Sequence, residues 1–237
     1  MREVLIAVAK THKYASRESG DTVEIVERPH GGLSVLLVDA QGSGFAAKTI
    51  SNLVTSRGAA MIKEGTRDGA VARSVHDYLY TLRQGGVSAT LLIVSVDLQS
   101  QSLVISRNDE CPAFVLFPDS VVVHDEPATP IGIYMRTKPV IVEEPLADYL
   151  GVVITSDGVT IAGERRGAKL DLQAFLEQEL TRGWPVAQEL ADAILARAVE
   201  LEDGRPRDDA SVVVVTLTPG EEQKVPVRRL TARLPVE

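Results

Sequence analysis

Four aspartates stand where their carboxylates could meet: Asp21 in Ser19-Gly20-Asp21-Thr22, Asp39 in Val38-Asp39-Ala40-Gln41-Gly42-Ser43-Gly44, Asp157 in Ser156-Asp157-Gly158, and Asp208 in Arg207-Asp208-Asp209-Ala210-Ser211. Each lies at one end of a short apolar run, at residues 22–26, 33–38, 152–155 and 212–217. Runs of that length and β-branched content read as buried strands. Acids at strand ends can converge however far apart they lie in sequence. Converged carboxylates repel one another unless a positive charge sits between them. For an all-oxygen ligand set the usual counter-charge is Mg²⁺ or Mn²⁺.

The Asp39 segment is the most specific of the four. A strand ends in an acid, and a glycine-rich turn then opens a helix, with Gly42 and Gly44 free to fold tightly beside the carboxylate. The carbonyl of Ala40 could face the same point. Taken singly, each aspartate could be no more than a turn former or helix cap; four at strand ends argue otherwise. Gly42-Ser43-Gly44-Phe45-Ala46-Ala47 also fits a dinucleotide fingerprint. Against it, Asp39 would set a negative charge beside the pyrophosphate, and a second helix follows where that fingerprint needs a strand.

Composition narrows the function classes. The chain has 237 residues, 44% of them hydrophobic but only 4% aromatic, so the core is built of Val, Leu, Ile and Ala. A net charge of −8 argues against nucleic acid or an anionic membrane as partner. Cys111 is the only cysteine, which suits a reducing compartment. No secretory leader and no membrane-length apolar run is visible, so a cytoplasmic location is expected. His12, His30, His76 and His124 share no metal-site spacing, and no basic pattern beside Cys111 would activate it.

The elements that position the acids follow from periodicity. Residues 4–8, 22–26 and 33–38 read as strands. Two helices follow, one with Ala46, Ile50, Leu53, Val54 and Met61 on a face, the next with Val71, Val75, Tyr78, Leu79 and Leu82. Strands at 90–96 and 102–106, then at 113–117 and 121–124, flank hairpin turns, and 140–142 and 152–155 continue the series. Two more helices carry Leu172, Phe175, Leu176 and Leu180, then Val186, Leu190, Ala193, Ile194 and Leu201, with Pro185 suited to a first turn. Residues 211–217 close the chain's last strand. Hairpins imply antiparallel pairing, and segregated helix pairs imply an α+β protein: a four-layer αββα sandwich of two antiparallel sheets flanked by helix pairs. We expect one domain over 1–237. The tail at 219–237, with Lys224, Arg228, Arg229 and Arg233, reads as a solvated extension or an edge strand.

In order and spacing, Gly20-Asp21, Asp39-Ala-Gln-Gly-Ser-Gly, Ser156-Asp157-Gly158 and Asp208-Asp209-Ala-Ser before a Val-rich strand resemble the motifs of the PPM-type metal-dependent protein phosphatases. The branch most similar is the bacterial one typified by the sporulation stage II protein E. Pro130-Ile131-Gly132 and the segment from Arg107 to Ala113 also look like that branch. The resemblance runs from about residue 15 to 217.

It implies a phosphoserine/phosphothreonine protein phosphatase using two Mn²⁺ or Mg²⁺ ions and a metal-activated water. Asp21 and Asp39 would be the catalytic acids shared by the ions, Ala40 would lend its carbonyl, and Asp157 and Asp208 would hold the metal on the other side. Asp209 would act from behind the ligands; Gly158 and Arg17 are weaker candidates, Arg17 for a phosphate contact. The chain departs from the family in two places. Ala40 replaces the usual glycine, and Gln41 stands where eukaryotic relatives carry a histidine proposed as general acid, a role glutamine cannot fill. Stand-alone members of this branch resemble RsbX-type phosphatases, which implies a phosphorylated STAS-domain protein as substrate in stress or sigma-factor signalling. A monomer is expected. Two other readings remain: a catalytically weak binding module on the same fold, suggested by Ala40 and Gln41, and a hydrolase of small phosphoesters.

Overall fold

The computed structural model describes residues 1–14, 16–222, 225 and 227–233. Strands β1 (Arg2–Thr11), β2 (Thr22–Glu27) and β3 (Gly32–Val38) come first, then helices α1 (Gly44–Lys63) and α2 (Asp68–Arg83). Strands β4 (Leu91–Asp97), β5 (Ser102–Asn108), β6 (Ala113–Phe117), β7 (Ser120–His124), β8 (Val140–Pro145) and β9 (Leu150–Thr155) follow. A short helix α3 (Asp157–Thr160), then α4 (Leu172–Thr181), α5 (Ala187–Leu201) and β10 (Ala210–Pro219) complete the order.

The strands form two five-stranded sheets, β1-β10-β9-β6-β7 and β2-β3-β4-β5-β8, and every pairing between named strands is antiparallel. Alternation along the strands explains the layering. Val35 and Leu37 of β3 meet Val152, Ile154, Val213 and Val215 of the other sheet in the central core. Leu36 and Val38 point the opposite way, onto α1 and α2. Val212 and Val214 likewise face the layer of α4 and α5. Each central strand is buried on both faces and therefore reads as one continuous apolar run. The expected αββα sandwich is the observed architecture.

The helix faces differ from expectation in detail. Ala46 is exposed, and α1 buries Ala47, Ile50, Val54 and Ile62 together with Ser51 and Thr55. The polar pair belongs there because its hydroxyls are bonded: Thr55 donates to the Ser51 carbonyl at 2.8 Å, and Ser51 donates to the Gly20 carbonyl at 2.5 Å. On α2, Tyr78 and Leu82 are exposed and the inner face is Val71, Ala72, Val75, His76 and Leu79. Pro185 precedes α5 rather than lying in its first turn. Past β10, the described tail residues form no strand; Arg228 pairs with Glu27 at 2.6 Å, and Lys224 lies outside the described residues.

Candidate active site

The acids gather at one end of the sandwich because the strands carrying them end or begin there. Asp39 follows β3, Asp157 follows β9 by two residues, Asp21 precedes β2, and Asp208 and Asp209 precede β10. Registers hold them in place: Val212 pairs with Thr155, and Thr22 pairs with Val38. The turn after Asp39 needs its glycines, since Gly42 and Gly44 have φ of 109° and 62°.

Asp21 is fully buried. Its Oδ2 accepts the hydroxyls of Ser156 at 2.8 Å and Ser211 at 2.6 Å, whereas Oδ1 has no partner among the described residues. Its backbone carbonyl accepts from Lys10 Nζ at 2.9 Å and Lys48 Nζ at 2.6 Å. Asp21 thus joins the two sheets: Lys10, Ser156 and Ser211 belong to the β1–β10–β9 side, and Lys48 comes from α1 over the other. Burial raises its carboxyl above the ordinary carboxylate range, and the two serine hydroxyls pull it back.

Asp39 is strongly perturbed. Burial first, then the charges of Asp21, Asp157, Asp208 and Asp109, push its carboxyl up to about 9. Its backbone is fixed, with its N–H donating to Thr90 Oγ1 at 3.2 Å and its carbonyl accepting the Thr90 N–H at 2.7 Å. Ala40 is buried and bridges Ala89, which bridges Ile131. In that bridge the flanking residues make the hydrogen bonds, and the Ala40 carbonyl accepts none among the described residues. Gln41 turns to Ser88, whose N–H and hydroxyl donate to its Oε1 at 3.4 and 3.2 Å.

Asp157 opens α3, and its Oδ1 is buried without a partner among the described residues. Burial, then Asp208 and Asp21, raise its carboxyl to about 6. Gly158 is what allows this turn to lie against the start of β10: a Cβ there would stand 2.1 Å from the Asp209 carbonyl oxygen. Asp208 is partly exposed, with Lys13 Nζ 3.9 Å away. Asp209 is buried and fully engaged, its Oδ1 accepting the Lys13 N–H at 3.0 Å and its Oδ2 the Gly20 N–H at 2.8 Å. It clamps the segment leading to Asp21. Arg17, in that segment, is exposed and pairs with no acid among the described residues.

A fifth acid joins the group. Asp109, just past β5, is buried; its Oδ1 accepts the Cys111 N–H at 2.9 Å and its Oδ2 has no partner among the described residues. Burial is the main reason its carboxyl rises to about 6; the charge of Asp157 adds to that rise, and the charge of Asp109 acts in turn on Asp39. Buried Arg107 fixes this corner, donating to the carbonyls of Asp109, Cys111 and Glu126. The Cys111 thiol is buried 3.6 Å from Thr160 Oγ1, and burial pushes its pKa up, away from nucleophile chemistry. His76 Nδ1 accepts the Gly132 N–H at 3.1 Å, a structural duty.

This arrangement fits a hard divalent cation. Buried oxygens of Asp21, Asp157 and Asp109 lack partners, neither oxygen of Asp39 takes a hydrogen bond, and the Ala40 carbonyl is free among the described residues. The charges of Asp21, Asp157, Asp208 and Asp109 raise the pKa of Asp39, which a cation would reverse. No three acid, histidine or cysteine side chains among the described residues already close on one point. Mg²⁺ keeps several waters and takes few protein ligands. A cavity of about 480 Å³ lies elsewhere, at the other end of β3, where Asp68 and Asp97 already neutralise Arg28.

Residues 29–218 match the family model described as stage II sporulation protein E. The matched stretch holds Asp39, Asp109, Asp157, Asp208 and Asp209; Asp21 lies ahead of it. Among solved structures, the PP2C phosphatase domain with a regulatory fragment of the cell fate determinant SpoIIE from Bacillus subtilis superposes with a TM-score of 0.78 at 22% identity. That alignment covers 92% of this chain and 64% of the other, so this chain spans under two thirds of that structure's length. A serine/threonine phosphatase of S. agalactiae aligns with a TM-score of 0.69 at 14% identity, over 90% of this chain and 99% of that one. RsbX in complex with magnesium aligns with a TM-score of 0.68 at 13% identity, over 91% and 96%. No curated protein sequence matches the chain. The two-sheet sandwich is the fold on which those phosphatases are built.

Proposed function

This chain belongs to the stage II sporulation protein E family, and on that premise we propose that it is a metal-dependent protein serine/threonine phosphatase. One observation carries the reading: five acids from separate strand ends share a neighbourhood in which the central one, Asp39, is pushed up to about 9. A protein without a cation to bind gains nothing from such repulsion.

Asp21, Asp39, Asp157 and Asp208, with the Ala40 carbonyl, would hold two Mg²⁺ or Mn²⁺ ions, and Asp109 stands close enough in charge to assist them. Bound there, the ions would supply Lewis acidity, activating water and neutralising phosphoryl oxygens. The chain's own work is positioning. Ser156 and Ser211 hold one oxygen of Asp21 and leave the other without a partner among the described residues. Gly158 lets Asp157 approach the start of β10. Asp209 fixes the backbone that delivers Asp21. Gln41 has no titratable proton and gives no acid to a leaving group.

The substrate we propose is a phosphorylated protein, with a STAS-domain regulator as the specific candidate by analogy with RsbX, acted on by a single-domain, monomeric, cytoplasmic enzyme. The chain has no helix long and apolar enough to cross a membrane among the described residues. A second reading, a catalytically weak binding module, is favoured by Ala40 and Gln41 at the centre of the motif. Hydrolysis of p-nitrophenyl phosphate with and without Mn²⁺, then of a phosphorylated STAS protein, decides between them. Metal-dependent turnover supports the enzyme. Cation binding without turnover of either substrate supports the binding module.

A further inference from the structure

Beside the acids stands a cation that the fold prepares and then leaves unused. Arg205 lies three residues before Asp208, and its guanidinium carbon sits 5.1 Å from the centre of the Tyr14 ring. Tyr14 is 64% exposed, and its backbone N–H donates to the Pro206 carbonyl at 2.8 Å. The preceding residue, Lys13, is tied to Asp209 through its N–H and lies 3.9 Å from Asp208 through its ammonium. Tyr14 and Arg205 therefore form a small platform fastened to the rim of the acid cluster.

Arg205 is exposed and has no carboxylate partner among the described residues, in a chain with 33 acids and a net charge of −8. The acids nearest to it in sequence are committed elsewhere. Asp203 pairs with Arg166, and Glu202 Oε1 accepts the Gly163 N–H at 2.8 Å. Arg207 is likewise occupied, donating to the Ile161 carbonyl at 2.8 Å and pairing with Glu164 at 3.3 Å. A guanidinium laid on an aromatic ring keeps its N–H edges outward, and its fork matches a carboxylate or a phosphate in two-point contact. An exposed cation–π contact stabilises a fold by only about 0.5–1 kcal/mol, a weak reason to keep an unpaired arginine there.

We infer that the Tyr14–Arg205 platform is a specificity element that reads an acidic side chain flanking the phosphoserine of the protein substrate. The inference rests on the phosphatase reading. It assigns Arg205 to a neighbouring anion and not to the phosphate being cleaved, since Arg205 is part of the rim and the acids hold the centre.

The test uses the full chain with Mn²⁺ and two phosphoserine peptides, identical except that one carries Glu on both sides of the phosphoserine and the other carries Gln. The wild type is expected to prefer the Glu peptide by about tenfold in kcat/KM, the size of one charge-assisted contact, and mainly through KM. Arg205→Gln should bring the ratio to about one, and Arg205→Lys, which keeps charge without the fork, should fall between. Tyr14→Phe should keep the preference and Tyr14→Leu should weaken it. A wild type without preference, or Arg205→Gln with the preference intact, overturns the platform as a reader. p-Nitrophenyl phosphate is run alongside: its turnover with failed peptide discrimination rejects this inference alone, whereas no turnover of any substrate rejects the phosphatase reading and this inference with it.

Discussion

A Cβ placed on Gly158 would stand 2.1 Å from the carbonyl oxygen of Asp209. The contact is with backbone, so no side chain can move aside. Two metal-site candidates, Asp157 and Asp208, are each one residue from this contact, and their spacing depends on it. Gly158→Ala should therefore separate the start of α3 from the start of β10. Overpacking of this kind costs about 1–3 kcal/mol, and the displaced Asp157 should lower turnover at least about tenfold. Thermal unfolding and phosphate release are the measurements. Full stability together with full activity would mean that the two segments are not in register as described.

Asp208 and Asp209 should separate into different phenotypes. Asp209 spends both oxygens on the N–H groups of Lys13 and Gly20. Asp209→Asn turns an amide donor toward one of them and leaves a buried N–H unmatched, a loss of about 1–3 kcal/mol. Asp208 is partly exposed, so Asp208→Asn should barely change stability while removing a cation ligand. We expect Asp209→Asn to lower the unfolding midpoint and retain part of the activity, and Asp208→Asn to leave the midpoint nearly unchanged and lose the activity. If Asp209→Asn proves the more damaging to turnover at saturating metal, the ligand assignment of the pair is inverted.

Without metal, the site should weaken the fold as pH rises. The folded-state carboxyl of Asp39 lies near 9 against an ordinary value of 3.8, so the proton is bound more tightly in the folded chain. Its contribution is complete below pH 3.8 and is lost as pH rises through about 9. Asp157 and Asp109, both near 6, lose theirs earlier in the same direction. Chelator-treated protein should thus unfold at lower temperature at pH 8 than at pH 6, and Mg²⁺ should restore stability at pH 8 by binding the folded state. Asp39→Asn should flatten the upper part of that dependence and stabilise the metal-free protein at pH 8, while reducing turnover more than about a hundredfold, as loss of a group that acts as a unit with its neighbours does. A metal-free stability that climbs steadily from pH 6 to pH 9 would contradict the converged-acid geometry.

What the sequence conveyed and what it hid divide along physical lines. Strands buried on both faces, such as β3 and β10, announce themselves as apolar runs. Asp21, Asp39, Asp157 and Asp208 were legible because each interrupts such a run at its end. Asp109 was not, although it lies directly past β5, because Asn108, Glu110 and Cys111 surround it with no pattern that singles out one acid. Ser156 and Ser211 were hidden for a different reason. Their hydroxyls reach Asp21 across separations of 135 and 190 residues, and a serine beside an aspartate looks like any turn. The inner face of α1 was misjudged because Ser51 and Thr55 are buried through hydrogen bonds that hydropathy cannot register. α3 is a single turn of four residues and has no room for a helical period.

Gln41 tests whether a side chain at that position supplies the leaving-group proton. The structure gives it another occupation: its Oε1 accepts from Ser88, and its N–H donates to the Ser88 carbonyl at 3.0 Å, so it braces the bridge that seats Ala40. The backbone half of that brace survives Gln41→Ala, and no titratable group is lost. Turnover should consequently fall less than about tenfold, the scale of modest misorientation and not of a missing general acid. p-Nitrophenyl phosphate, whose leaving group needs little protonation, and a phosphoserine peptide, whose leaving group needs much, should be affected alike. A loss confined to the peptide and larger than about a hundredfold, within the range that general acid catalysis supplies, would place position 41 in the leaving-group chemistry.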